Sequence, residues 1–355
     1  MAKTFRVIDT GVRDGRAQIA FDQAMIDLHK DSTIPDTVRF LRFPPTALIG
    51  RHQALSQEIK VDYCAANNIR TVRRITGGGA LYFDEGQLGW ELVFHRDTLG
   101  ISSLGDLARE ICEAAAAGIS KLGVEAKYRP RNDIEVGGRK ISGTGGFFDG
   151  STLFYQGTLL VDMNPADMIA ALNVPEAKLA KRNLDSAAQR VVTLKELLGE
   201  VPDMDTIQNA LLDGFAERLG LEFERGEITA KEEELAQSLF DEEIGTDDFV
   251  AEINDPANET GVLSASHTGA GGTVNAHVRL EGAAQDRFRE VLITGDFFVT
   301  PPRVVLDLEA HLRGKPAAAC RADVENFFEN ADVGLLTIAP ADFATAIESA
   351  LATAK

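Results

Sequence analysis

A chain of 355 residues exceeds the roughly 100–200 residues of a typical single domain, so two domains are expected. With 44% hydrophobic and 26% charged residues it reads as an ordinary soluble globular protein, which excludes disordered and fibrous classes. The net charge of −19 excludes a broad nucleic-acid surface, because phosphate affinity needs clustered Lys and Arg; any phosphate site must be a local exception.

No apolar run approaches the ~20 residues needed to cross a bilayer, and MAKTFRVIDTGVRDGR at the N-terminus lacks the apolar stretch of a secretory signal. A cytoplasmic protein without membrane or nucleic-acid partners is therefore expected. Cys64, Cys112 and Cys320 lie far apart and form no CxxC, so three ordinary thiols are expected rather than a disulfide framework or structural zinc.

In chain order, Ala17 to Leu28 carries Ile19, Ala20, Ala24 and Leu28 at helical spacing, which predicts a helix lying on a sheet. DTVRFLRFPPTALIG (36–50) reads as two short strands on either side of a Pro-Pro break, since proline cannot donate to a central ladder. ALYF (80–83) and GWELVF (89–94) read as strands joined by Asp84-Glu85-Gly86. A helix is expected from Ser103, with Leu104, Leu107, Ile111, Ile119 and Leu122 at 3.6-residue intervals and Gly123 where a C-cap glycine belongs; Cys112 packs on it.

NDIEV and RKISG flank Gly137-Gly138, a two-residue hairpin signal, and TLFYQGTLLVD is long enough for a core strand. Helices and strands in this order predict an α+β domain with a mainly antiparallel sheet. Helical patterns dominate from Pro165 to Leu239, with Ile207, Leu211, Phe215 and Leu219 as one stripe and Asp205 as its N-cap. The acidic KEEELAQSLFDEE (231–243) reads as a solvated helix face rather than a metal site. GTDDFVAEINDPANETG (245–261) concentrates Gly, Asp, Asn and Pro and marks a change of unit. Strands near 273–280 and 290–298 and helices near 303–312 and 322–329 follow, so the expected domains are 1–245 and 250–355.

Familiar catalytic signatures are absent: no P-loop, no GxGxxG after a strand, no HExxH and no GxSxG. Two basic, glycine-bearing clusters remain. Arg73 and Arg74 precede Thr76-Gly77-Gly78-Gly79, and Arg129, Arg131, Arg139 and Lys140 surround Asn132-Asp133. Glycines allow backbone amides to close around an anion, guanidinium groups offer bidentate donors to phosphate, and Asp133 is placed to hold Mg²⁺ against the same phosphates. Taken singly, a glycine turn beside arginines is more often a plain loop and an Asn-Asp pair more often a turn. Their combination within one expected domain points to phosphate chemistry.

These residues resemble the lipoate-protein ligases of the biotin/lipoate ligase superfamily, in their two-domain form. RRITGGGALYFDEG is similar to the family's RRxSGGGAVYHDxGN loop, RNDIEVGGRKISG to its RNDI…RKxSG segment, and FYQGTLLVD to its HHGTLLxD strand. KLAKRNLDSAAQRVVTLKELL (178–198) matches its KL…S…RVxxLxELL stretch. The resemblance spans most of residues 4–220 and continues more weakly through ITGDFF, LEAHLRG and CRADV, which resemble the small accessory domain.

The resemblance implies a fold like that of class II aminoacyl-tRNA synthetases and biotin ligases: a mixed, mainly antiparallel sheet flanked by helices, with a small α+β C-terminal domain. It implies joining of lipoate to AMP at the expense of ATP with Mg²⁺, then transfer of the lipoyl group to a lysine of an apo carrier protein. That carrier is an E2 domain, a glycine-cleavage carrier, or a specialised one such as those of sulfur-oxidising systems. By matched position, Lys140 lies between the lipoyl carbonyl and the α-phosphate, where an ammonium stabilises the pentavalent transition state. Arg73, Arg74, Thr76 and the amides of Gly77, Gly78 and Gly79 line the lipoyl head and phosphates, while Asn132 and Asp133 face adenine, ribose or Mg²⁺. Leu48, Ala80, Tyr82 and Phe154 are candidates for the apolar groove of the lipoyl tail, kept open by Gly143 and Gly157 beside Thr158. The accessory domain is expected to close over the adenylate, with 245–261 as hinge.

Phe83 stands where the family loop has His, and Tyr155 and Gln156 stand where HHGTLL is expected, so substrate or carrier specificity is open. The related octanoyl and lipoyl transferases use a cysteine nucleophile, and no cysteine here is near the loop motifs in sequence. Biotin ligases carry GRGRxG rather than GGGA. A noncatalytic lipoate-binding protein would be expected to lack Lys140 or Asp133, and both are present.

Overall fold

A computed structural model describes residues 3–101, 103–130, 132–173, 190–335 and 338–354. Internal contacts divide the chain into two units, Met1–Leu48 with Ile59–Arg73 and Leu81–Val250, and Ile49–Glu58 with Arg74–Ala80 and Ala251–Lys355. Two short stretches thus join the C-terminal segment, which a single cut along the chain near 245–250 does not anticipate.

Through residue 225 the described chain forms β1 (Lys3–Val12), β2 (Thr37–Arg42), β3 (Thr46–Ile49), β4 (Arg70–Arg73), β5 (Leu81–Phe83), β6 (Gln87–His95), β7 (Ala126–Arg129), β8 (Asp133–Val136), β9 (Arg139–Asp149), β10 (Thr152–Leu160) and β11 (Leu221–Arg225). Eight of them make one sheet in the order β11-β1-β2-β6-β10-β9-β8-β7. β1 runs parallel to β11 and β2, and the remaining neighbours are antiparallel, which is the mainly antiparallel α+β architecture expected. β3, β4 and β5 form a smaller sheet. β11 adds a strand to the 165–239 stretch where helical patterns were expected to dominate: Leu221 is buried, Phe223 meets Phe5 at 6.5 Å, and a five-residue edge strand is too short to register against helical neighbours.

One sheet face carries the Gly15–Lys30 helix, capped by the Asp14 side chain, with Ile19, Ala20, Ala24 and Met25 buried. The other carries the helices Leu104–Ser120 and Met204–Leu219, whose buried positions follow the 3.6-residue spacing. Ser103 caps the first of these. The N-cap of the second is Asp203, which accepts from Thr206 N; Asp205 sits in the first turn instead. The pair approach through glycines: a Cβ on Gly118 would lie 2.5 Å from the Ala210 carbonyl oxygen, and one on Gly214 would lie 2.3 Å from that of Ala114. The close approach brings Phe215 to 5.5 Å from the Trp90 ring on β6.

Between the sheet and the Gly15–Lys30 helix lies a buried polar cluster. Arg39 Nη1 donates to Asp22 Oδ1 at 2.5 Å and Glu91 Oε2 at 2.9 Å, and Nε donates to Thr10 at 3.1 Å. The acidic 231–243 segment is helical through Leu239, but Glu232 departs from the solvated-face reading. It is buried, closes a capping box with Thr229 and pairs with Arg6 at 2.5 Å.

The second unit contains an antiparallel sheet of β12 (Leu263–Gly269), β13 (Gly272–Glu281) and β14 (Arg287–Asp296). Its core joins Val274, Ala276, Phe288 and Ile293 to Leu308, Val324, Phe343 and Ile347 from the helices Val304–Leu312, Cys320–Asn330 and Pro340–Leu351. β12 and the last helix extend the expected set; LSASHTG has too few apolar residues to show alternation. The 245–261 segment contains a short helix, Asp247–Ala251, and one 3₁₀ turn. Among the described residues no helix is long and apolar enough to cross a membrane.

Candidate active site

The β8–β9 hairpin turns on Gly137 and Gly138, both at positive φ (59° and 79°), as a two-residue turn of this type requires. A register shift between Ile134 and Glu135 leaves Ile141 unmatched and sets Lys140 opposite Glu135 while Gly143 stays opposite Asp133. Lys140 Nζ thereby reaches Asp133 Oδ1 at 2.8 Å, and Arg129 pairs with the other oxygen, Oδ2. Burial works against the Asp133 carboxylate, but the charges of Lys140 and Arg129 outweigh it and hold it below the usual carboxylate range. Gly143 leaves room for the lysine in this position, since a Cβ would stand 2.5 Å from Lys140 Nζ. Gly143 N in turn donates to Thr158 Oγ1 at 3.4 Å. Asn132, Asp133, Lys140, Gly143 and Thr158 are thus brought together within the first unit.

With both oxygens on cations, Asp133 does not fit a metal ligand as the side chains stand, and among the described residues no three His, Cys, Asp or Glu groups are placed to hold a metal. Residues that the hairpin alone does not reveal pin the main chain of Lys140: its N–H donates to Arg190 O at 2.8 Å, and Val192 N–H donates to its carbonyl at 2.9 Å. The signal lay in the RVV portion of the 178–198 stretch; residues 174–189 and Arg131 lie outside the described set.

Gly157 plays another part than keeping a groove open. The Trp90 indole fills the space beside it, with Cζ2 only 2.2 Å from where a Cβ would stand. Gly157→Ala is expected to cost about 1–3 kcal/mol through overpacking. Because Trp90 is the chain's single tryptophan, urea denaturation followed by its fluorescence checks this directly; an unchanged midpoint and emission would remove this account. Of the groove candidates in the first unit, Leu48, Tyr82 and Phe154 are all buried. Ala47 pairs with Tyr82 across β3 and β5, so Leu48 and Tyr82 face opposite sides of the small sheet and cannot line one wall together.

Arg73 ends β4 fully buried, donating from Nε to Phe249 O at 3.1 Å and from Nη2 to Val250 O at 2.9 Å. In the second unit, Arg74 is wrapped by its own loop, with Nη2 donating to Gly77 O at 3.1 Å and Gly79 O at 3.0 Å and Nε donating to the buried Thr76 hydroxyl. Desolvation pulls the Arg74 guanidinium down to about 10, against the opposing charge of Asp296. The three glycines admit the Asp296-Phe297-Phe298 turn. Gly78, at φ 89°, donates to Phe297 O at 2.9 Å, and the Phe298 ring lies 2.6 Å from its missing Cβ. A Cβ on Gly77 would stand 2.2 Å from Phe297 O, and one on Gly79 2.9 Å from Asp296 Oδ2. Backbone freedom at the glycine run is thus used for close approach of another turn, and both arginines address main-chain carbonyls. Ala80 follows, half-buried.

Residues 14–216 match the model of the lipoyl protein ligase A/B catalytic domain, more than half of the chain. The chain belongs to the lipoyl protein ligase A/B family. It is 30% identical to lipoate-protein ligase A subunit 1 of Thermoplasma acidophilum, over 66% of this chain and 91% of that protein. It is 29% identical to the octanoyltransferase LipM of Symbiobacterium thermophilum, over 70% of this chain and 98% of that one. A solved lipoate-protein ligase A bound with ATP superposes with a TM-score of 0.61 at 27% identity, covering 71% of this chain and all of that one. The Plasmodium falciparum LipL1 structure covers 93% of this chain and 95% of its own at TM-score 0.71, but at 14% identity that likeness speaks for the fold alone.

Within this acyl-transferring family the departures now have places. Phe83 is a packing residue, its ring 4.6 Å from that of Phe43. Tyr155 is fully buried on the face toward the Leu104–Ser120 helix, and Gln156 sits half-buried on the opposite face. The three cysteines are all buried. Burial pushes the Cys64 and Cys112 thiols up, and that of Cys320 up to about 12.

Proposed function

We propose that this family member is an ATP-dependent lipoate-protein ligase. One observation carries the choice over a LipM-type transferase: Cys112, the cysteine on the helix behind the Lys140 sheet, is a buried thiol bonded to Thr144 and Tyr155, with burial opposing thiolate formation. A cysteine nucleophile must be an accessible thiolate beside a base. In the first step the lipoate carboxylate attacks the α-phosphorus of ATP and pyrophosphate leaves. Two anions must meet, so a preorganised ammonium is the group this step needs, and Lys140 over Gly143 is the candidate. In the second step the amine of a carrier lysine attacks the acyl carbon and AMP leaves, its charge again facing Lys140. Arg129, Asn132 and Thr158 hold the surrounding polar surface.

The ATP-bound relative supports ATP as co-substrate, and the Thermoplasma acidophilum lipoylation system, described as a bi-partite lipoate protein ligase and its E2 lipoyl domain, supports a lipoyl-domain protein as acceptor. Purified protein with lipoate, ATP and Mg²⁺ is expected to exchange labelled pyrophosphate into ATP and to lipoylate an apo lipoyl domain. No exchange, together with ATP-independent movement of an octanoyl group between carriers, would replace this reading with the transferase one.

A further inference from the structure

Behind the Asn132–Asp133 edge runs a chain of buried hydrogen bonds whose direction follows from counting protons. Thr144 Oγ1 donates to Asn132 O at 3.0 Å. Its single proton is then used, so the Tyr155 hydroxyl, 2.7 Å away, must donate to Thr144, and the Cys112 S–H, 3.2 Å from Thr144 Oγ1 and 3.3 Å from the Tyr155 oxygen, closes the chain as donor. Burial raises both Cys112 and Tyr155 and so keeps both donors protonated. At the other end Asn132 and Thr144 make two further bonds: Thr144 N donates to Asn132 O at 2.8 Å, and Asn132 Nδ2 donates to Thr144 O at 2.6 Å.

We infer that Tyr155, Thr144 and Cys112 form a positioning relay that fixes the Asn132–Asp133 edge for the nucleotide, with Tyr155 as its central residue. The relay gives a place to the tyrosine that stands where the family strand has a histidine: its side chain points behind the sheet. The clamp also commits one Asn132 N–H to Thr144, leaving Oδ1 and the second N–H for a ligand such as an adenine edge or ribose hydroxyl. This inference rests on the ATP-dependent reading of the same site.

Tyr155→Phe removes one hydroxyl and keeps the ring. It is expected to raise KM for ATP roughly threefold to tenfold, the size of one lost buried hydrogen bond, with kcat within about twofold of the wild type. Thr144→Val is expected to act alike and Thr144→Ser to restore the wild-type KM. Amide hydrogen exchange supplies a readout independent of activity, with faster exchange in Tyr155→Phe confined to the Thr144 amide, which donates to Asn132 O, and its neighbours at Asp133 and Ile134. An unchanged KM with unchanged exchange there would overturn the relay. Wild-type protein that fails to exchange pyrophosphate would overturn the ligase reading instead, and the amide measurement would still decide whether the relay orders this edge.

Discussion

Lys140→Ala is expected to lower lipoate-dependent pyrophosphate exchange by about 10²-fold or more, the loss typical of removing one preorganised donor from a developing charge. Its thermal midpoint should stay close to that of the wild type. The ammonium is part-exposed, with 37% of the side chain accessible, so its pair with Asp133 contributes little to stability. Asp133 keeps Arg129 as a partner when Lys140 is gone. Lys140→Arg is not expected to rescue, because a planar fork cannot sit as a compact charge over Gly143, where the existing ammonium already lies 2.5 Å from the missing Cβ. Exchange assays paired with circular dichroism melts check both variants, and wild-type exchange in Lys140→Ala would remove this lysine from the chemistry.

Arg39→Met is expected to destabilise the first unit by about 3–5 kcal/mol, because it strands the buried Asp22 and Glu91 carboxyls without their cation. That is a large part of the roughly 5–15 kcal/mol that keeps a domain folded. Two carboxyls face one guanidinium, and desolvation holds Glu91 well above, and Asp22 above, the ordinary carboxylate value. As pH rises past the unfolded-state value, the unfolded chain loses these protons while the folded chain keeps them, so the cluster's stabilisation falls with pH until the folded groups also ionise. Glu91→Gln, neutral at every pH, is expected to flatten that slope and to be tolerated at neutral pH. Urea denaturation of wild type and both variants across the acid-to-neutral range tests the pair; equal slopes in wild type and Glu91→Gln would remove the protonated-carboxyl account.

Where the sequence was legible, the signal was short-range. Gly137-Gly138 between β-type runs reports a hairpin because positive φ is cheap only for glycine, and that hairpin alone brings Lys140 beside Asp133. Helix Leu104–Ser120 was legible from its 3.6-residue stripe, although its C-cap is Lys121 rather than Gly123. Four ordered motifs likewise sufficed to point to the family, since each is a contiguous run.

The glycine run shows the opposite case. Its composition demanded close approach by some backbone or ligand, yet an anion cradle and the Asp296-Phe297-Phe298 segment make the same demand on a glycine, and only packing within the second unit shows that segment against it. Arg73 read as a phosphate donor because a guanidinium looks the same in sequence whether it meets phosphate or the Phe249 and Val250 carbonyls. Phe83 read as a missing histidine until Phe43 was seen against it.

The sequence by itself therefore determined the α+β class and the principal helices and hairpin, and pointed to the residues we propose for acyl-adenylate chemistry, because dihedral preference and periodicity act between near neighbours. Tertiary structure decided which of those residues face one another, the parallel docking of β11 on β1, the burial of Arg39 between two acids, and the turning of Tyr155 behind the site. Those pairings join segments far apart in the chain, and their energies come from shape and desolvation, which leave no periodic trace in the order of residues.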